Sequence, residues 1–114
     1  MSVSVIAGKN AYLHCFVKQL GNKSLSWMRT SDAHILTVDR YTFIADERFQ
    51  ILPGDSWTLL IKSVTLNDTD FYECQISTAP KLAFRTHLQV LVPTIRYIFW
   101  QFSLMTIFCN EGIL

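Results

Sequence analysis

At 114 residues the chain has room for one domain of ordinary size and not for two. A formal net charge of +1, with no dense Lys/Arg run, excludes the electrostatic footprint expected of a nucleic-acid or anionic-membrane binder. Half of the residues are hydrophobic, and much of that excess collects after Pro93.

Taken in order, the chain reads as a series of short strands. Positions 2–6 form a β-branched run, followed by the turn residues Ala7-Gly8-Lys9-Asn10. Over 11–17, Ala11, Leu13, Cys15 and Val17 share one face while Tyr12 and His14 share the other. After the turn Leu20-Gly21-Asn22-Lys23, Leu25, Trp27 and Arg29 form the inner parity of a third strand, with Ser26 and Met28 outward. Two short runs follow, 34–38 and 40–44, the second with Tyr41 and Phe43 on one parity. In 48–52, Phe49 and Ile51 point inward, and Pro53-Gly54-Asp55-Ser56 supplies a turn. Trp57, Leu59 and Ile61 then face inward, leaving Thr58, Leu60 and Lys62 outward. Tyr72, Cys74 and Ile76 are inner residues of the next strand and Glu73, Gln75 and Ser77 its outer residues. Thr78-Ala79-Pro80-Lys81 connects to a last strand with Thr86, Leu88, Val90 and Val92 inward. Short strands at close spacing, with no helical period between them, predict an all-β sandwich.

The stretch 68–74, Asp-Thr-Asp-Phe-Tyr-Glu-Cys, makes this specific. A tyrosine two residues before a cysteine, with an earlier cysteine and a tryptophan on the strand after it, is the pattern of an immunoglobulin sandwich of two antiparallel sheets. Cys15 and Cys74 are the expected disulfide, Trp27 packs beside it, and the Tyr72 hydroxyl ties the corner backbone. Arg48 and Asp68 are expected to pair across the bottom of the sandwich. The interval from Trp27 to Trp57 has room for three strands, which favours the variable type, with C′ (34–38) and C″ (40–44) between C (25–29) and the second sheet. Cys109 is left as a free thiol. A disulfide argues for an oxidising compartment, and so do the acceptor sequons at Asn22 and Asn67, although a glycan on Asn67 would sit beside the corner. No signal peptide precedes the first strand, so the N-terminal strand is expected to be truncated or export not to be encoded here.

Enzymatic readings find little support. His14, His34 and His87 share neither ligand spacing nor a helix face, so no metal site is expected. No Ser, Cys or Thr lies in a motif pairing it with a base and an oxyanion hole, glycines are too few for a phosphate cradle, and no cofactor is implied. The domain is expected to span 1–93, and 94–114 to be an atypical apolar tail. Its block at 97–109 is too short to span a bilayer and reads as a foreign tail, with a membrane-interacting element as the alternative.

The outer face of the C–C′–C″–F–G sheet, where F carries Tyr72 to Ser77 and G follows Lys81, collects Met28, the run 35–38, Tyr41, Phe43, Gln75 and Ser77: an apolar centre with polar edges, as protein interfaces are built. For C′ two parities stay open. Either Ile35 and Thr37 point outward, or His34, Leu36 and Val38 do.

The segments LHCFVKQLGNKSLSWMR, HILTV followed by YTF, ERFQ, WTLLIK and YECQISTAPK resemble the first immunoglobulin domain of the Dpr (defective proboscis extension response) cell-surface proteins of arthropods, over about 3–92. The resemblance implies a neuronal cell-surface recognition module, concerned with synaptic pairing, that binds Dpr-interacting proteins (DIPs) or a second copy of itself through the C–C′–C″–F–G face. Carried onto matching positions, it implies partner contacts from His34, Ile35, Leu36, Val38, Tyr41, Phe43, Gln75, Ser77 and Lys81. Asp39 and Arg40 depart from the family, which often has a glycine and an apolar residue at this turn. The second domain of the family is missing and the tail follows no family pattern, so a secreted decoy, or a structural domain with no partner of its own, is the alternative.

Overall fold

The computed structural model describes residues 1–93, which form two facing sheets. The larger runs in the order β1 (Ser2–Ile6), β9 (Leu82–Leu91), β8 (Asp70–Ile76), β3 (Leu25–Arg29), β4 (His34–Val38) and β5 (Tyr41–Thr42). The smaller is β2 (Ala11–Leu13), β7 (Leu59–Ile61) and β6 (Phe49–Ile51). Strand pairs are antiparallel except β1 with β9, which is parallel. The three strands expected between Trp27 and Trp57 are β4, β5 and β6, so the variable-type layout holds. The apolar tail and Cys109 lie outside the described residues.

Alternation places the core between the sheets. Leu13, Leu25, Trp27, Phe49, Leu59, Ile61, Tyr72 and Leu88 are fully buried there. Cys15 and Cys74 are bonded, and Trp27 lies directly across the β3–β8 ladder from Cys74. Closing a loop with a sequence separation of 59 stabilises the fold by about 4 kcal/mol in the chain-entropy account. The Trp27 indole N–H donates to the Trp57 carbonyl at 3.1 Å, which carries this anchor across to the smaller sheet.

The lower corner is built around one carboxylate. Asp68 sits in a single 3-10 turn, Leu66–Asp68, and is buried. Arg48 donates to both of its oxygens, at 2.7 and 3.0 Å, and the Thr65 backbone N–H adds a bond of 2.8 Å. Burial opposes the charge, but these donors outweigh it and hold the Asp68 carboxyl below the usual carboxylate range. Arg48 also pairs with Asp46 at 2.9 Å and depresses its pKa. The Tyr72 hydroxyl donates to the Asp68 carbonyl at 2.7 Å, and burial pushes the phenol's pKa up. Both contacts expected of this corner are therefore present.

Several expectations of facing or length need correction, among them the strand expected over 40–44, which is only Tyr41–Thr42. The strand expected over 11–17 ends at Leu13, although Cys15 still points inward and its carbonyl accepts from Trp57 N–H at 2.9 Å. Thr58 and Leu60, both expected outward, are buried: the Thr58 hydroxyl bonds to His14 Nδ1 at 2.8 Å, and Tyr12 and Gln50 stand directly beside Leu60 on the flanking strands. Val92, expected inward, is exposed, since the β1–β9 ladder stops at Leu91. The largest correction concerns β4.

Candidate functional site

Neither simple parity describes β4. Trp27 pairs with Thr37, but the next residue, Met28, pairs with Ile35, so Leu36 is the extra residue of a β-bulge. A bulge breaks the period of two. Consecutive residues Leu36 and Thr37 are both fully buried, while Ile35 and Val38 stand opposite the outward-facing Met28 and Ser26. Leu36 is thus a core residue and is removed from the set of expected partner contacts. Its carbonyl accepts from the backbone N–H groups of Phe43 and Ile44, at 2.9 and 3.4 Å, and holds the chain that follows β5.

His34 also leaves the outer face. Directly opposed residues on paired strands point to the same side. His34 opposes Arg29, which opposes the buried Tyr72, so it belongs to the other side of the sheet, at the rim and close to Asp32.

Following the register across the sheet gives the outer face directly. One row runs Tyr41, Val38, Ser26, Gln75, Ala83, through β5, β4, β3, β8 and β9. The next runs Ile35, Met28, Glu73, Arg85. At a strand spacing of about 4.8 Å the five-strand row is about 19 Å wide. Apart from Ser26, the β3–β5 half of the face is apolar, and Tyr41 and Phe43 at its edge are 72% and 64% exposed.

The β8–β9 half is a polar chain. Glu73 accepts from Gln75 Nε2 at 2.6 Å and from Arg85 Nη2 at 3.3 Å, and Gln75 Oε1 accepts from Lys81 Nζ at 3.4 Å. The chain therefore runs Lys81, Gln75, Glu73, Arg85, with the carboxylate paired to Arg85 and linked to Lys81 only through the Gln75 amide. Gln75 Nε2 also lies 3.9 Å from Met28 Sδ, where the halves meet. Ser77 is exposed, but its Oγ already accepts from Ser24 N–H at 2.8 Å and fixes the start of the loop to Lys81. Asn22 and Asn67 are both exposed.

The structure thus gathers Ile35, Val38, Tyr41 and Gln75 on one face, sets Phe43 and Lys81 at its edges, leaves Ser77 beside it, and excludes Leu36 and His34. Sequence reasoning missed Ala83 and Arg85 as members of this face. They occupy the parity of β9 opposite to Thr86, Leu88 and Val90, so the same alternation that found the core would have found them. Among the described residues no group of three His, Cys, Asp or Glu side chains is placed to hold a metal ion.

The family description immunoglobulin V-set domain matches residues 1–93. The chain belongs to the immunoglobulin V-set family. This V-set domain is similar in structure and sequence to first immunoglobulin domains of Dpr proteins. It is 55% identical to Dpr11 IG1, solved bound to DIP-gamma, with a TM-score of 0.73 over 79% of this chain and 97% of that one. With Dpr1 IG1, solved bound to DIP-eta IG1, it shares 41% identity and a TM-score of 0.77 over 79% and 88%. Among curated proteins it is 32% identical over 93 residues to the Zwei Ig domain protein zig-8 of Caenorhabditis elegans, covering 80% of this chain and 35% of that protein. The V-set domain accordingly spans about a third of that relative's length. It is an adhesion-type V-set domain, of a non-enzymatic family.

Proposed function

We propose that this V-set domain is a cell-surface recognition module that docks the outer face of β5, β4, β3, β8 and β9 against another immunoglobulin domain. The observation that carries this reading is the five-strand row from Tyr41 to Ala83, an apolar half joined to a polar chain, with two aromatic side chains standing exposed at its edge. Such a face fits a partner with a desolvated aromatic and aliphatic centre and a charged rim. Dpr11 IG1 and Dpr1 IG1, bound to DIP-gamma and DIP-eta, supply the partner class: a DIP-type first domain. The ZIG-8 IG1 homodimer supports a second copy of the chain as the other candidate. In this reading the module serves partner specification between neurons, and Asn22 and Asn67 are its glycan acceptors.

The test passes the full chain over immobilised DIP-gamma IG1 and measures sedimentation of the chain alone across concentration. Saturable binding, or a concentration-dependent dimer, is the expected result. A chain that stays monomeric at high concentration and binds no DIP-type domain is a structural sandwich instead.

A further inference from the structure

Strand β5 presents Tyr41, yet little of the ladder holds it. It has two residues, both exposed, and two cross-strand partners, Thr37 and Val38. A two-residue edge strand has little intrinsic stability. The two residues that turn the chain from β4 into β5 supply what is missing. Asp39 takes a left-handed backbone conformation, with φ of 53°, as tight hairpin turns favour. Its backbone N–H donates to the Leu25 carbonyl at 2.7 Å and its carboxylate accepts from the Leu25 N–H at 3.1 Å, so the turn is bound to β3 by a reciprocal pair. Ser24 Oγ adds a longer bond of 3.3 Å.

Arg40 secures the other side. Its guanidinium carbon lies 3.8 Å from the centroid of the Trp57 ring. Nη1 donates to the Leu52 carbonyl at 2.6 Å and Nη2 to the Gly54 carbonyl at 3.0 Å. Leu52 follows β6 and Trp57 precedes β7, so this one side chain leaves the larger sheet and grips the connection between two strands of the smaller one. A planar guanidinium fork is well matched to these partners, because it stacks on an aromatic face while donating to two carbonyls at once, which an ammonium group does less well.

We propose that Arg40 is a positioning residue for recognition: by fastening the β4–β5 turn to the connection between β6 and β7, it holds Tyr41 in the pose that a partner immunoglobulin domain meets. Arg40 reaches away from the outer face, toward Trp57, and acts through Tyr41. The proposal rests on the docking face described above, and it adds that the strength of docking is set partly by a contact on the far side of the β4–β5 hairpin.

The experiment compares the full chain with Arg40→Ala, Arg40→Lys, Tyr41→Ala and the double variant Arg40→Ala/Tyr41→Ala. Amide hydrogen exchange of the unliganded chains is read at Asp39 and Phe43, whose N–H groups are bonded to the Leu25 and Leu36 carbonyls, with Trp27 and Cys74 as core references. Binding is read on immobilised DIP-gamma IG1. Arg40→Ala is expected to speed exchange at Asp39 and Phe43 about tenfold with the core unchanged, and to weaken binding at least fivefold. Arg40→Lys is expected to fall between wild type and Arg40→Ala, and the double variant to bind no worse than Tyr41→Ala, because the two side chains act in series. Unchanged exchange in Arg40→Ala overturns the clamp. Unchanged binding, or fully additive losses in the double variant, overturns the positioning role. If the wild-type chain does not bind DIP-gamma IG1, the partner reading and the recognition half of this proposal fall together, while exchange still decides whether Arg40 holds the hairpin.

Discussion

Alanine at Tyr41 and alanine at Leu36 should fail in opposite ways, although the two residues lie five positions apart. Tyr41 is 72% exposed on β5, so its loss changes fold stability by only about 0.5 kcal/mol or less. As an aromatic anchor of an interface, its loss should cost about 2–4 kcal/mol of binding, a weakening of roughly 30- to 700-fold. Leu36 is fully buried by the bulge, and truncating such a side chain costs about 2–5 kcal/mol of stability. For a domain of this size that lowers the melting temperature by about 10–30 °C. Thermal melts of the full chain and binding to immobilised DIP-gamma IG1, run in parallel on the two variants, separate the effects. A Leu36→Ala protein that melts like wild type would show that the bulge is misplaced. Wild-type affinity in Tyr41→Ala would show that the interface lies elsewhere.

Two further outcomes follow from the corner. Arg48→Met strands the buried Asp68 carboxylate and should destabilise by about 3–5 kcal/mol at pH 7. Asp68 has a folded pKa below its unfolded value, near 3.9, so the stability it supplies is present above about pH 4 and is lost as pH falls through the folded pKa. Urea melts should therefore show the gap between wild type and Arg48→Met narrowing from pH 7 to about pH 2.5; a gap of constant size would refute the pairing account. Tyr72→Phe removes a buried hydroxyl that donates to the Asp68 carbonyl and should lower stability by about 1–2 kcal/mol, seen as a lower denaturant midpoint at unchanged slope with binding retained. An unchanged midpoint would mean that the hydroxyl does not tie the corner.

What could be read from the chain was what residue type and spacing determine locally. Cys15, Trp27, Tyr72 and Cys74 each have a chemistry that only one place in a sandwich uses, and their spacings agree with one another. The inner parities of β3 and β8 followed from simple alternation, as did the outward placement of Met28 and Gln75. Strand β4 resisted because HILTV is apolar on both parities, so nothing in its composition marks the bulge, and one inserted residue moves Leu36 to the core and separates Ile35 from Val38 by two positions. Leu60 resisted for a different reason: its burial depends on Tyr12 and Gln50, neighbours that exist only once the sheet is assembled. The Arg40 clamp could not be read because its partners, Leu52, Gly54 and Trp57, are 12 to 17 positions away and two of the contacts are to backbone carbonyls. The Dpr-like motifs pointed to the same sheet face as the register does but assigned residues to it by position, and position alone does not distinguish Val38 from Leu36.

The docking face is tested most directly by methyl chemical shifts of the full chain titrated with DIP-gamma IG1. The outer face predicts that the largest shifts fall on Met28, Ile35 and Val38, with Leu13, Leu59 and Leu60 of the smaller sheet unmoved. Shifts that instead gather on Met1, beside the exposed rings of Phe16 and Phe84 in the open groove between the end of β2 and β9, while Met28, Ile35 and Val38 stay still, would contradict it.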